Sequence, residues 1–251
     1  MNKILIIPDV HGRTFWKTAV EKHFDDSNKI IFLGDYLDRY ENEDITRKQE
    51  KENFLEIINF KKENKDKVVL LLGNHDLHYI EQSFTMSTRH SSNYAYSYKQ
   101  IFLENKSLFK LAHEETINDK KILFTHAGLM NSWYQRNKNT IGELTVDNLN
   151  QLLNFPNGIQ CLCDISKYRT CIGEESGSIL WSDVREKINI DVMKDENDSI
   201  TPNDDSWVDE YDYQIFGHTQ LSIKPIITDK WACLDIRHAF IIKEDGKIYD
   251  A

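Results

Sequence analysis

Long hydrophobic runs are missing from this 251-residue chain. Residues 4–7 form an apolar stretch too short for a signal-peptide core or a bilayer span, and no other run reaches bilayer length. The expectation is a soluble, cytoplasmic protein with no membrane partner. Cysteine is scarce: of the four, Cys161, Cys163 and Cys171 sit within eleven residues and Cys233 lies apart. They lack paired Cys-x-x-Cys spacing, so reduced thiols are expected rather than a zinc site or a disulfide framework. Four prolines and ten glycines make no linker, and there is no internal repeat. Basic charge is also short, with 31 Lys and Arg against 41 Asp and Glu and a net charge of -10. No basic stripe offers a broad phosphate-binding surface, which argues against stable nucleic-acid binding. The densest charge run, residues 195–212, carries eight acidic residues and no Lys or Arg. Without the alternate-position ligands and central glycine of an EF-hand it reads as a solvated, mobile loop.

What is present alternates between strand and helix. Apolar, β-rich runs at residues 3–8, 29–33, 68–72 and 121–125 read as buried strands. Helical spacing of Phe15, Ala19, Val20 and Phe24 marks a helix over residues 14–24, and Phe54, Leu55, Ile57, Ile58 and Phe60 mark another. This rhythm favours parallel strands joined by right-handed crossovers. Residues 83–98 are rich in Ser, Thr, Asn and Tyr and read as a loop or cap; residues 155–177 are irregular. Five short runs after residue 214 read as successive strands, giving an α/β chain with a mostly antiparallel tail.

Polar clusters follow the apolar runs. They are Asp9-Val10-His11-Gly12, Gly34-Asp35-Tyr36-Leu37-Asp38-Arg39, Gly73-Asn74-His75-Asp76, His126-Ala127-Gly128-Leu129 and Gly217-His218-Thr219. Strand ends of an α/β fold bring distant residues together, so the series implies one converging site. Carboxylate, imidazole and carboxamide groups suit hard or borderline divalent metals.

In order and type, these clusters resemble the calcineurin-like metallophosphoesterases, and more closely the phosphoprotein phosphatase branch that includes serine/threonine phosphatases and diadenosine tetraphosphatases. The resemblance covers nearly the whole chain. It implies a four-layer α/β/β/α sandwich, two mixed sheets flanked by helices, in a single domain over residues 1–251, with 83–98 and 157–212 as loop or cap insertions. It also implies two divalent metal ions, manganese first and iron, zinc or nickel tolerated, held by Asp9, His11, Asp35, Asn74, His126 and His218. Two metals about 3.5–4 Å apart supply a nucleophile at neutral pH and neutralise the transferring phosphoryl group. Asp9 and His11, two apart on an extended segment, would point the same way and grip one ion. Asp35 would bridge, and Asn74, His126 and His218 would complete the second ion's shell.

By the same resemblance His75 is the general acid and Asp38 the carboxylate that holds its imidazole. Arg39 offers a planar fork to phosphate oxygens. A second phosphate-binding arginine is usual in the branch; Arg185, after Leu180-Trp181-Ser182-Asp183, is the nearest candidate and Arg13 a weaker rival. The last cluster reads Gly217-His218-Thr219-Gln220, without the second histidine of the Gly-His-x-His form. That departure matches the phosphatase branch. The expected reaction is direct attack of a metal-bound hydroxide on a phosphate monoester, with a phosphoserine, phosphothreonine or phosphotyrosine protein as substrate. The alternative is a dinucleoside polyphosphate, with Tyr94, Tyr96 and Tyr98 as stacking surfaces for adenine. A nuclease would need the missing basic stripe, and a non-catalytic scaffold would have lost ligand positions that this chain keeps.

Overall fold

The computed structural model describes residues 3–81, 88–188 and 200–251. The chain divides into two compact units, Met1–Lys110 with Arg237–Ala251, and Leu111–Ile236. The first contains, in chain order, β1 (Ile4–Ile7), α1 (Phe15–His23), β2 (Lys29–Phe32), α2 (Arg47–Glu63), β3 (Val68–Leu71), α3 (Asn74–Ile80), α4 (Ser92–Glu104) and β4 (Phe109–Lys110). The second contains β5 (Ala112–Ile117), β6 (Lys120–Thr125), α5 (Asn131–Ile141), α6 (Val146–Gln151), α7 (Pro156–Leu162), β7 (Tyr213–Phe216), β8 (Ile226–Ile227) and β9 (Trp231–Cys233). The chain then returns to the first unit with β10 (Phe240–Ile242) and β11 (Ile248–Asp250).

The first unit's sheet runs β11-β10-β1-β2-β3-β4, parallel from β1 to β4 and antiparallel at β10 and β11. Every residue of β1 and β3 is buried, as expected for parallel strands covered on both faces. Ile7 pairs with Phe32, so β1 and β2 end flush and the loops that carry Asp9 and Asp35 emerge side by side. In the second unit the order is β5-β6-β7-β9-β8, with β6, β7 and β9 parallel and the outer pairs antiparallel. Phe124 pairs with Ile215, which puts His126 and His218 just beyond neighbouring strand ends.

The first four expected strands and the first helix match these elements to within one or two residues, whereas the expected strand over residues 222–227 is reduced to Ile226–Ile227. Several regions depart from expectation, among them residues 155–177, expected to be irregular, where Pro at the first helical position opens helix α7. Helix α2 begins at Arg47, well before Phe54, because Thr46 and Gln49 close a capping box ahead of the charged first turns. Part of the expected 83–98 loop is helix α4: buried Tyr98, Ile101 and Phe102 fall on one face at i, i+3 and i+4. Counting tyrosine as polar hides that period; residues 83–87 lie outside the described residues. The tail is shared between the two sheets, and β7 pairs with β9 in parallel. Two- and three-residue strands carry too few side chains to encode direction.

The acidic run is more structured than a solvated loop, although its residues 195–199 lie outside the described residues. Asp205 accepts hydrogen bonds from the Ser132 backbone N (2.7 Å) and Oγ (2.5 Å), and Asp212 accepts from the Lys121 backbone N (2.8 Å). These carboxylates tie the segment to α5 and β6.

Candidate functional site

In the first unit the loops after β1, β2 and β3 are laced together. The Asp35 carbonyl accepts from Val10 N (3.1 Å) and His11 N (2.7 Å), and the Tyr36 carbonyl accepts from Gly12 N (2.9 Å). Buried Asp76 joins the third loop: its carboxylate accepts from the backbone N of Gly73 (2.8 Å), Asp35 (2.8 Å) and Tyr36 (3.0 Å). The approach is so close that a Cβ on Gly73 would lie 2.0 Å from Asp35 Oδ1. Only glycine fits there.

Asp9, His11, Asp35, Asn74 and His75 are all buried in these loops. His11 is not on an extended segment; it lies past the end of β1 with φ 45°. Its ring still converges with the carboxylates, with Nε2 4.0 Å from Asp9 Oδ2 and 3.5 Å from Asp35 Oδ2. Nδ1 meets the Leu37 carbonyl at 2.7 Å, which fixes the Nδ1–H tautomer and leaves the Nε2 lone pair facing the carboxylates. Single donor atoms of His11, Asp35 and His75 lie within 4.8 Å of one another. Burial, and after it the neighbouring Asp9 charge, drives the Asp35 pKa well above the ordinary carboxylate value. A buried pair of acids beside an imidazole lone pair fits a divalent cation, which would relieve that repulsion.

Asp38 is the second hub. His75 Nδ1 lies 2.8 Å from Oδ2, His78 Nε2 2.9 Å from the same oxygen, and Tyr79 OH donates to Oδ1 at 2.5 Å. Arg47 adds a 3.3 Å contact to Oδ1. Burial by itself would raise the Asp38 pKa, but hydrogen bonds from His75 and His78 outweigh it and the net shift is downward. Burial pulls His75 the other way, to about 4, against the raising effect of Asp38. At neutral pH this gives an ionised Asp38 and a neutral His75 with its Nε2 lone pair away from the carboxylate. Arg39 has its backbone N held by Glu50 Oε1 at 2.6 Å, while its Nε is buried without a hydrogen-bond partner.

In the second unit His126 Nε2 and His218 Nδ1 are 3.1 Å apart. Adjacent ligands of one ion at metal–nitrogen distances near 2.0–2.1 Å sit about 3 Å from each other, so this spacing suits a shared ion. The Gly217 N to His126 carbonyl bond (2.8 Å) locks the two loops, and His218 takes φ 64°. Arg185 does not present a free fork. Its Nε and Nη2 grip Asp183 at 2.8 and 3.0 Å, and it lines a cavity of about 580 Å³ with Tyr168, Glu186 and Asp205. Arg169 is the arginine beside the last cluster, with Nη2 2.8 Å from Thr219 Oγ1 and Nε 2.6 Å from Asp183. Arg13 is engaged by Glu43 at 2.9 Å.

Residues 2–221 match the family described as calcineurin-like phosphoesterase. The chain belongs to that family. Its fold is mixed α/β with two mixed sheets. It is 25% identical over 193 residues to a probable serine/threonine-protein phosphatase of Encephalitozoon cuniculi, covering 76% of this chain and 36% of that protein. The chain thus spans little more than a third of that relative's length. A serine/threonine phosphatase structure from Saccharomyces cerevisiae superimposes with TM-score 0.50 at 14% identity, covering 100% of this chain and 80% of that one. A hypothetical protein from Pyrococcus horikoshii gives TM-score 0.49 at 8% identity, with 99% and 86% covered. Among the described residues of this phosphoesterase no helix is long and apolar enough to cross a membrane.

Sequence reading passed over four contributors to this phosphoesterase's site. Asp76 lay inside a recognised cluster without a role, and Glu50, which also accepts from Tyr98 OH at 2.6 Å, lay in an ordinary charged helix. His78 stood one turn beyond His75, a spacing that does announce a shared face. Arg89 carried no signal at all.

Proposed function

We propose that this chain is a dinuclear metal-dependent phosphomonoesterase acting on phosphoserine, phosphothreonine or phosphotyrosine proteins. The observation that carries the reading is the pairing of buried Asp9, Asp35 and His11 with an imidazole, His75, that is held by an ionised carboxylate. Asp9, His11, Asp35, Asn74, His126 and His218 would hold two divalent ions, manganese in the first instance. When bound, such ions supply Lewis acidity that activates water and neutralises phosphoryl oxygens. The protein's own groups do the rest. Asp38 fixes the His75 ring with Nδ1–H inward, so that Nε2 is the atom left to exchange a proton at the reacting oxygens: it takes one up before it can pass one to the leaving oxygen. Arg39 binds phosphoryl oxygens through its fork.

The phosphatase name of the Encephalitozoon relative supports a phosphoprotein over a dinucleoside polyphosphate. Of the three tyrosines offered for adenine stacking, Tyr98 is buried on Glu50, Tyr94 stacks on Tyr98 at 5.6 Å, and only Tyr96 is open, at 75% exposure. The test is hydrolysis of p-nitrophenyl phosphate, a phosphopeptide and diadenosine tetraphosphate by protein stripped with chelator and reloaded with manganese. Stripping is expected to abolish turnover and manganese to restore it, with the phosphopeptide preferred. Undiminished activity in the stripped protein, or in both Asp9→Ala and His75→Asn, defeats the metal mechanism; preference for the dinucleotide transfers the assignment to the second substrate.

A further inference from the structure

Arg89 sets its guanidinium directly against two imidazoles of the first unit's site. Its Nη2 lies 3.2 Å from His75 Nε2 and 3.5 Å from His11 Nε2. Its Nε is buried without a hydrogen-bond partner, and among the described residues no carboxylate forms an ion pair with it. The other arginines around it are compensated: Arg13 and Arg237 share Glu43, and Arg47 rests on Glu50 and Asp38. A half-buried cation whose Nε is shut off from water in this way loses hydration that an anion would restore.

Several contacts hold that cation in place. Arg89 stacks over the Tyr40 ring with Cζ 3.7 Å from the centroid, and Arg13 and Arg237 approach the same ring at 4.9 and 5.1 Å. Its backbone takes φ 68°, a left-handed conformation that is unusual for a long side chain. Two hydrogen bonds impose it: Arg47 Nη2 donates to the Arg89 carbonyl (2.7 Å), and Ser91 N donates to Tyr79 OH (2.9 Å). Arg47 and Tyr79 are themselves partners of Asp38, so the carboxylate that orients His75 also orients the segment carrying Arg89.

We infer that Arg89 is a substrate-contacting residue that binds an oxygen of the phosphoryl group next to His75, with Tyr40 as the platform that positions it. This rests on the reading of the site as a phosphomonoesterase. A planar guanidinium with an open Nε edge offers the parallel donors that a phosphate dianion accepts, and an ammonium cannot reproduce the stack on Tyr40. Arg89→Ala, Arg89→Lys and Tyr40→Ala proteins, loaded with manganese, are titrated calorimetrically with inorganic phosphate and assayed with p-nitrophenyl phosphate. Metal content and melting temperature are recorded for each.

Phosphate affinity is expected to fall at least tenfold in Arg89→Ala and about threefold in Arg89→Lys and Tyr40→Ala, with metal content and melting temperature unchanged. The value of kcat/KM falls with it. An Arg89→Ala protein that binds phosphate within twofold of wild type overturns the inference, as does a wild-type protein that binds none. An Arg89→Ala protein that melts early while Arg89→Lys keeps full phosphate affinity marks Arg89 as a structural strut and also overturns it. Wild type that binds phosphate through Arg89 yet hydrolyses no ester would sink the catalytic reading alone.

Discussion

Replacing Lys187 by Met should make the protein more stable at neutral pH, and the gain should vanish in alkali. Lys187 is fully buried, its Nζ has no hydrogen-bond partner, and the ring of Phe216 lies 5.1 Å away. Burial depresses its pKa from 10.5 to about 8, although the charges of Glu186, Asp205, Cys233 and Asp183 pull upward. A shift of about 2.5 units at 1.36 kcal/mol each costs the charged, folded state about 3 kcal/mol. The folded pKa lies below the unfolded one, so between pH 8 and 10.5 the unfolded chain holds more protons and wild-type stability rises with pH. Below pH 8 the whole penalty is present. Lys187→Met removes it and fills the space with an unbranched apolar chain.

Urea unfolding followed by tryptophan fluorescence reports this well, because Trp133, Trp181, Trp207 and Trp231, four of the five tryptophans, belong to the same unit as Lys187. With about 3 kcal/mol per molar as the urea slope, the midpoint should rise by about 1 M at pH 7. The gap should shrink to a fraction of its size by pH 10 and close above pH 10.5. A variant less stable than wild type at pH 7, or a gap that does not change between pH 7 and pH 10, refutes the account of Lys187 as an uncompensated buried cation.

Asp38→Asn keeps the shape of the hub but removes its charge and frees the His75 tautomer, so kcat should fall by about 10²–10⁴ with metal content intact. Adding His75→Asn should cost little more, since the two act as one unit; additive losses measured in a double-mutant cycle would contradict this. Gly73→Ala drives a Cβ into Asp35 and should destabilise by about 3 kcal/mol and abolish turnover, whereas Gly246→Ala, whose new Cβ would meet nothing within 4 Å, should cost about 1 kcal/mol in a thermal melt.

Much of the candidate site was legible because its polar groups are concentrated in a few adjacent residues at strand ends. Asp9, Asp35 and Asn74 stand within three residues of buried apolar strands, and parallel pairing of flush strands brings their loops together. Strand and helix positions were legible for the same reason, since Ile4–Ile7 and Val68–Leu71 contain nothing but apolar residues. What escaped depends on partners distant in sequence. Asp76 matters because it reaches back 40 and 41 residues to two backbone amides, and Arg89 because a turn of left-handed backbone returns it to Tyr40, 49 positions earlier. Arg185 is tied by a local partner instead: its fork rests on Asp183, two residues away.

The backbone shows where that long-range lacing acts. His11, Asp35, Asp38 and Arg89 all have positive φ, from 45° to 68°, although none is glycine. Each such conformation costs on the order of 1–2 kcal/mol in an L-residue, so four neighbours in it would not persist unless the surroundings imposed them. The constraints are identifiable: Asp76 holds the amide of Asp35, the Asp35 carbonyl holds His11, and Arg47 holds the carbonyl of Arg89. Asp38 receives His75, His78, Tyr79 and Arg47. Remove a constraint and the strained residue relaxes, which moves a side chain without deleting it. Arg47→Ala should therefore weaken inorganic phosphate binding through Arg89 while leaving metal content unchanged, and loss of metal instead would show that Arg47 supports the carboxylate cluster rather than the arginine.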